Sequence, residues 1–354
     1  MATTPQRAPA RPTPRLRPAG PRVSVVVINF CQWRNTDRLT HQLLNADAID
    51  NGSAEVVVVD NDSPPDPALG RLRRTPGVSL KRFDRNTGFA KAANEGCRLG
   101  RGEWILLLNP DTAVPEGFLD QLEALCRSLD AEEPRAGVIG LSLLDADGTA
   151  QASCGPPPTL GRTLAGLCLP RRVRKCRPVR TNDRVAVPWV TGCGMLFRRE
   201  CWAELGGFDE SFFLYYEDAD FCRRAWAADW SVWYEPSLRL THYSPLHTRP
   251  VPPELRLMTR HALLTYAQKY WGGWRQAALA GVVWLEAIAR QAKAVAARHE
   301  RPLHAELRRL AADWLGGRPL SARWRVRRTA KLLAGCAGRE DGQTPDWVPV
   351  RMAG

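Results

Sequence analysis

Chemistry concentrates in four places along the chain. The run from Gly207 to Arg224, GFDESFFLYYEDADFCRR, sets Asp209, Glu210, Glu217, Asp218 and Asp220 within twelve positions, among six aromatic residues. Buried carboxylates are costly unless paired, so such a density needs a use. A carboxylate at a helix start, Glu217 or Asp218, suits a general base, while Asp220 can pair with Arg223 or Arg224. Helix capping and surface ion pairs are the plainer use. Asn109-Pro110-Asp111-Thr112 follows the apolar run WILLL. An Asp at the tip of a buried strand is a hard-cation ligand suited to Mg²⁺ or Mn²⁺ carrying a diphosphate. It could equally cap a helix opened by Pro115. Asn86 to Gly96, NTGFAKAANEG, is a Gly-containing turn into a helix. Helix-start amides there favour phosphate, with Asn94 one to two turns along, although an ordinary left-handed turn at Gly88 explains the glycine as well. His242 in LTHYS is either a ligand or a core histidine.

The elements that must position these groups are legible from hydrophobic runs. Val23 to Asn29 and Glu55 to Asp60 are short, Val-rich and continuously apolar, the pattern of strands buried on both faces of a parallel sheet. Asn35 to Ala46 reads as a helix between them. A strand at Val78 to Phe83, a helix at Phe89 to Leu99 and a strand at Trp104 to Leu108 continue the β-α-β alternation. Ligands of such sheets sit at the carboxyl ends of the strands, which brings Asn29, Asp60, Asn86 and Asn109 to one edge. Further along, a helix from Pro115 to Leu129 and a strand near Gly137 to Leu143 are expected. Trp189 to Phe197 reads as a strand pair or ribbon, Glu200 to Leu205 and Glu217 to Ala228 as helices, and Ser231 to Glu235 as a strand. From Pro253 onward the pattern is mostly helical.

Composition bounds the rest. Of 354 residues, 44% are hydrophobic and 25% charged, which excludes wholesale disorder, collagen and coiled coil. The net charge of +13 is uneven: +5 lies in an arm over residues 1–22 and +11 beyond Pro245, leaving the middle weakly acidic. That distribution fits a catalytic domain with a docking appendage better than a nucleic-acid reader, and no nucleic-acid partner is expected. The arm has no apolar core and reads as disordered and basic rather than as a signal peptide. Residues 145–184 read as an irregular basic insertion, with Pro156-Pro157-Pro158 and the cluster from Arg171 to Arg184. No run approaches the roughly 20 apolar residues of a membrane span. Ten cysteines without a CxxC pair read as reduced thiols of a cytoplasmic protein.

Taken in order, VSVVVINF, VVVVDNDS, NTGFAKAANEG, WILLLNPDT, WVTGCGMLFRRECWAELGGFDESFFLYYEDADFCRRA and THYS resemble the family 2 glycosyltransferases, particularly their bacterial rhamnosyltransferase branch. The resemblance implies an α/β, GT-A nucleotide-diphospho-sugar transferase fold: a mixed central sheet flanked by helices over residues 23–244. A basic, Trp-rich helical extension would follow over residues 245–354. It further implies that Asp60 reads the nucleotide base or ribose, with Asn29, Asn86 and Gly88 lining the same pocket. Asp111 would bridge Mg²⁺ or Mn²⁺, with Asn109 standing where the first Asp of an Asp-x-Asp motif often is. His242 resembles a late metal ligand, and Asp218, second of the pair with Glu217, a general base. The implied reaction moves a sugar, with inversion, from a dTDP- or UDP-linked donor, dTDP-rhamnose first, to a lipid-linked or polysaccharide acceptor. The alternative is a non-catalytic nucleotide-sugar-binding scaffold of the same fold. The basic Trp-studded helices would suit an anionic membrane surface at the inner face of the plasma membrane.

Overall fold

The structure, a computed structural model, describes residues 20–168, 179, 181–243, 251–294 and 300–337. Most of the expected arm and the basic residues from Arg171 to Arg180 lie outside the described residues. The first half of the chain forms β1 (Val23–Asn29), α1 (Trp33–Leu44), α2 (Asp47–Asp50), β2 (Ala54–Asn61), α3 (Pro67–Leu72), β3 (Val78–Phe83), α4 (Phe89–Leu99) and β4 (Trp104–Leu108). The second half of the sheet region forms β5 (Thr112–Ala113), α5 (Phe118–Glu132), β6 (Ala136–Leu144), α6 (Leu160–Cys168), β7 (Val185–Ala186), β8 (Met195–Arg198), α7 (Arg199–Glu204), α8 (Glu217–Ala227) and β9 (Ser231–His242). Four helices follow, α9 (Pro253–Tyr270), α10 (Gly273–Lys293), α11 (Arg301–Leu315) and α12 (Pro319–Ala337).

The strands make one mixed sheet in the order β3-β2-β1-β4-β8-β6-β9-β5, with β7 paired to β9. β3, β2, β1 and β4 are parallel, whereas β8 runs antiparallel to both β4 and β6. Burial on both faces explains the unbroken apolar runs. Val23, Val25 and Val27, with Val56, Val58 and Leu106, pack under Leu39 and Leu43 of α1 and Leu122 of α5. Val26, Ile28, Val57, Val59 and Ile105 point the other way, to Ala90 and Ala93 of α4. The same apolar cluster continues through Phe208 and Phe221 into Leu257 and Leu263 of α9, Leu279 of α10, Leu310 of α11 and Val326 of α12. The C-terminal helices therefore share one continuous apolar cluster with that face of the sheet.

Two expectations are corrected and one alternative is decided. Pro115 does not open α5: the chain turns through Gly117 in the left-handed region, φ +69°, and the helix begins at Phe118, so Asp111 is too far away to cap it. Of the strand pair or ribbon expected over Trp189 to Phe197, residues 189–194 form the ribbon, with one bridge, Val190 to Cys154, because Gly194 at φ +68° breaks the extended run before β8. β9 continues past Pro236 to His242, shifting register against β6 between Leu141 and Ser142. It thereby delivers His242 beside Thr112 of β5.

α10 is clamped to α9 by Glu286, which takes Arg260 at 2.7 Å and 3.2 Å and Arg290 at 2.9 Å. Burial alone would raise the Glu286 carboxyl, but the two guanidiniums outweigh it and hold it at about 2. A depressed folded-state value contributes stability above the unfolded value near 4.5, which is lost as pH falls toward 2. Urea unfolding followed from pH 6 to pH 2.5 should therefore be less acid-sensitive in Glu286→Gln than in wild type, by on the order of 2–3 kcal/mol. Parallel curves for the two proteins would show that Glu286 contributes nothing to acid lability.

Candidate active site

The parallel edge of the sheet ends in a network of buried amides and carboxylates. Asn29, at the tip of β1, donates from Nδ2 to Asp60 Oδ1 at 2.9 Å and to Ser63 Oγ at 3.0 Å. Its Oδ1 accepts from Thr36 Oγ1 at 2.9 Å and from the Gln32 amide at 3.2 Å, so the side chain is saturated. Asp60 is fully buried, receives Arg82 Nε at 3.0 Å and caps the Ser63 amide. Burial pushes the Asp60 carboxyl above its ordinary value, with Ser63, Asn29 and Arg82 pulling the other way. Arg82 also donates to the Ser63 carbonyl, so its guanidinium, not the Asp60 carboxylate, forms the accessible surface here.

Next along the edge, Asn61 Nδ2 donates to Asn86 Oδ1 at 3.0 Å, and Asn86 Oδ1 also accepts the Gly88 amide at 3.0 Å. Gly88 sits at φ +91°, and a Cβ there would lie 2.7 Å from the Phe213 carbonyl oxygen. Only glycine allows that approach. The Phe89 amide then donates to the same carbonyl at 2.6 Å, pinning the aromatic segment to the start of α4. Asn94 belongs to this clamp rather than to the crevice. Its Nδ2 donates to the Phe208 carbonyl at 2.8 Å and to Glu210 Oε1 at 3.3 Å, and its Oδ1 accepts the Phe208 amide and the Trp202 indole. All four of its hydrogen-bonding positions are thus taken by protein.

Beyond β4, Asp111 and His242 meet across the β5–β9 ladder, with His242 Nε2 at 3.5 Å from Asp111 Oδ1. The tautomer follows from the neighbours. Gln151 Nε2 donates to Asp145 Oδ1 at 2.6 Å and to the His242 carbonyl at 3.2 Å, so its amide is oriented with Oε1 toward the ring. An amide oxygen only accepts, hence His242 Nδ1, 2.7 Å away, carries the proton. With the proton on Nδ1, Nε2 is the ring nitrogen that faces the Asp111 carboxylate, and a cation held between the two would take its lone pair. Oxygen from Asp and neutral imidazole nitrogen suit Mn²⁺ or Mg²⁺. No group of three His, Cys, Asp or Glu is assembled among the described residues, so diphosphate oxygens and water would complete such a site. Asn109 stands adjacent; its carbonyl accepts Thr112 Oγ1 at 2.7 Å, and its side-chain amide makes no hydrogen bond among the described residues. Arg38, on α1, donates to the Thr112 carbonyl at 3.3 Å and lies over the Tyr243 ring. Burial lowers its guanidinium, against the attraction of Tyr243 and Asp111.

The clustered carboxylates divide by role. Asp220 is fully buried and bound to Arg224 at 2.8 Å, Lys269 at 2.5 Å and Tyr270 at 2.6 Å, and Lys269 reaches Asp209 at 2.6 Å. These two are structural anchors. Glu217 and Asp218, both nearly buried, open α8 after Tyr215 and Tyr216, consecutive non-glycine residues at φ +73° and +66°. Such backbone is unfavourable for bulky side chains and persists only where its surroundings enforce it. Asp218 accepts the Ala219 amide at 2.8 Å through Oδ1 and the Gly192 amide at 3.2 Å through Oδ2, and a carboxylate held by main-chain amides is an acceptor of the kind a general base needs. Cys193, next to Gly192, lies close enough to Asp111 for that carboxylate to raise its thiol further, above the effect of burial. The ribbon from Gly192 to Cys193 thus runs between Asp218 and Asp111.

Sequence reading missed Gln151, Arg82, Arg38 and Lys269. Each acts on a partner far away in sequence, Gln151 on His242 across 91 residues, and no local pattern marks such a pair. Phe212 and Phe213 of the aromatic run are buried in the apolar core.

Comparison with known proteins agrees with this geometry. The family described as Glycosyltransferase like family 2 matches residues 21–262. The chain is 30% identical over 246 residues to the N-acetylglucosaminyl-diphospho-decaprenol L-rhamnosyltransferase of Mycobacterium tuberculosis, covering 62% of this chain and 76% of that one. It is 26% identical over 163 residues to the rhamnosyltransferase WbbL of Escherichia coli K12, covering 46% and 61%. The solved structure of GalNAc-T7 with UDP, GalNAc and Mn²⁺ shares the fold, with a TM-score of 0.53 at 16% identity over 81% of this chain and 55% of that one. With more than half of its length matched and the mixed sheet laid out as described, the chain is a glycosyltransferase, a member of glycosyltransferase-like family 2 built on the GT-A fold.

Proposed function

We propose that this enzyme transfers rhamnose from dTDP-rhamnose, with inversion, to a hydroxyl of a lipid-linked glycan acceptor, using Mg²⁺ or Mn²⁺. The observation that carries the reading is the placement of Asp218 and of the Asp111–His242 pair on either side of the ribbon through Gly192 and Cys193. The rhamnosyltransferases among its relatives support the donor, and the decaprenol-linked substrate named for one of them supports the acceptor.

The chain's own residues account for the steps. Asn29, Asp60 and Asn86 build the nucleotide edge, with Arg82 presenting its surface and Gly88 admitting the Phe213 backbone. Asp111 and His242 would hold the cation, with Asn109 beside them; when bound, the cation neutralises the departing diphosphate. Asp218 Oδ2, held by the Gly192 amide, takes the proton from the acceptor hydroxyl as it attacks the anomeric carbon opposite the leaving group. Glu217 shares the strained helix start that aims Asp218. Residues 23–244 would form the catalytic domain, and residues 245–354 a helical extension that adsorbs to the inner face of the plasma membrane. Exposed Trp274, Trp284 and Leu285 on α10, and Leu320 and Trp324 on α12, beside Arg275 and Arg328, support that adsorption. Among the described residues no helix is long and apolar enough to cross a membrane.

Calorimetry should show dTDP binding that strengthens with Mn²⁺ in wild type and loses that dependence in Asp111→Asn. Gln151→Leu should weaken Mn²⁺ by roughly 10–100-fold through loss of ring orientation, leaving metal-free dTDP binding unchanged. Equal Mn²⁺ affinity in all three proteins would remove Asp111 and His242 from the metal. For Asp218→Asn, kcat for rhamnosyl transfer should fall by about 10²–10⁴-fold while the dTDP dissociation constant stays within about threefold. Retention of kcat would exclude Asp218 as the base. Sedimentation with vesicles containing anionic phospholipid should pull down wild type, and Trp274→Ser with Trp324→Ser should remain largely in the supernatant; undiminished pull-down would dissociate these helices from adsorption.

A further inference from the structure

Two adjoining cavities lie along α8, the helix that carries the candidate base. The larger, about 470 Å³, is bounded by Ala219, Arg223 and Trp226, one stripe of α8, and by Val187, Trp189 and Tyr266. The smaller, about 130 Å³, is bounded by Tyr216, Leu263 of α9, and Leu279 and Val283 of α10. Pro157, Pro158 and Trp189 line both, so the proline run forms a strap across one continuous cleft. Its walls are apolar and aromatic, yet the nucleotide-binding edge has no use for such a surface.

Three arginines and one carboxylate, Glu286, line the cleft, a net positive balance. Arg260 is neutralised by Glu286. Arg162, on α6 beside the smaller cavity, and Arg223, in the larger, meet no carboxylate among the described residues. Arg223 lies over the Tyr270 ring, its centre 4.1 Å from the centroid, so that its flat face extends the aromatic wall. An occupant complementary to this surface is long, apolar and anionic at one end. Tyr216, the residue before Glu217 and two before Asp218, lines the smaller cavity together with Arg162. An anionic end placed against Arg162 would therefore lie beside the segment that carries the base.

We propose that this cleft binds the prenyl diphosphate portion of the acceptor, with the diphosphate against Arg162 near Tyr216 and the isoprenoid chain running under the proline strap into the larger cavity. The assignment rests on the lipid-linked acceptor proposed above. It also explains the stripe Ala219, Arg223 and Trp226, which the transfer step itself leaves unused.

Farnesyl diphosphate is the probe, titrated calorimetrically into the full chain with dTDP and Mn²⁺ saturating, so that the donor site is blocked. Binding is expected, at least tenfold tighter than that of inorganic diphosphate. Ala186→Trp, which fills the larger cavity from an exposed position, should weaken farnesyl diphosphate and farnesol alike by tenfold or more. Arg162→Ala, also at an exposed position, should weaken farnesyl diphosphate and leave farnesol unchanged. No binding of farnesyl diphosphate to wild type, or affinities within twofold across the three proteins, overturns the assignment. So does a wild-type dimer that Ala186→Trp dissociates without any lipid binding, which would make a second copy of the chain the occupant. Because dTDP binding is measured on the same samples, either result is separable from failure of the glycosyl-transfer reading.

Discussion

A carboxylate with no exposure to water has to be neutralised where it stands, and the way Asp220 is neutralised organises this molecule. Lys269 and Tyr270 come to it from the end of α9, and Arg224 from one turn further along α8. Arg224 then extends to the carbonyls of Leu205 and Gly207, and Lys269 to Asp209. One buried anion thereby fixes the C-terminal helices, the helix carrying Asp218, and both ends of the loop that leads to Phe213. Removing one partner of such a group is far more damaging than never having built it, since the remaining charge is left without compensation. The catalytic sheet and the C-terminal helices are consequently interdependent, although the sequence divides them by composition.

The loop fixed in this way makes the next contact. Phe213 reaches Gly88 at the parallel edge of the sheet, and Asn94 holds Phe208 from α4. The Asn86–Gly88 edge and the Asp218 side of the crevice are thus joined by main-chain and amide contacts rather than by apolar packing alone. Hydrogen bonds of fixed direction resist sliding in a way that aliphatic contacts do not, and Tyr215 and Tyr216 can be kept in left-handed conformations only because both flanks are tied down.

What was legible in the sequence had local causes. The strands β1 to β4 announce themselves because burial on both faces demands apolar residues at every position, and the polar tips follow where burial stops. Asp111, Asp218 and His242 stand out because their neighbours have no other use for such groups. What was not legible depends on distant partners. Asn94 looked like a phosphate-side residue from its place in α4, and its real partners come 114 residues later. Pro115 looked like a helix start, but the left-handed turn at Gly117 moved the start by three residues. Asp220 was legible as a partner of Arg223 or Arg224 and does bind Arg224, but the convergence of Lys269 and Tyr270 on it was not, since they come 49 and 50 residues later.

Asp111 and His242 are held by neighbouring strands: the Asp111 carbonyl accepts the Tyr243 amide at 2.9 Å, and Thr112 pairs with His242 in the ladder. The separation of the two side chains is therefore set by backbone pairing that exists before any ligand arrives. Sites assembled by their ion must order the chain at the moment of binding, and much of the intrinsic affinity is consumed in that ordering. For the cation proposed at this pair, little ordering would remain to be done. The scaffold around this corner should be indifferent to chelators, and affinity can be tuned by small shifts of strand register or ring angle, independently of whether the protein folds.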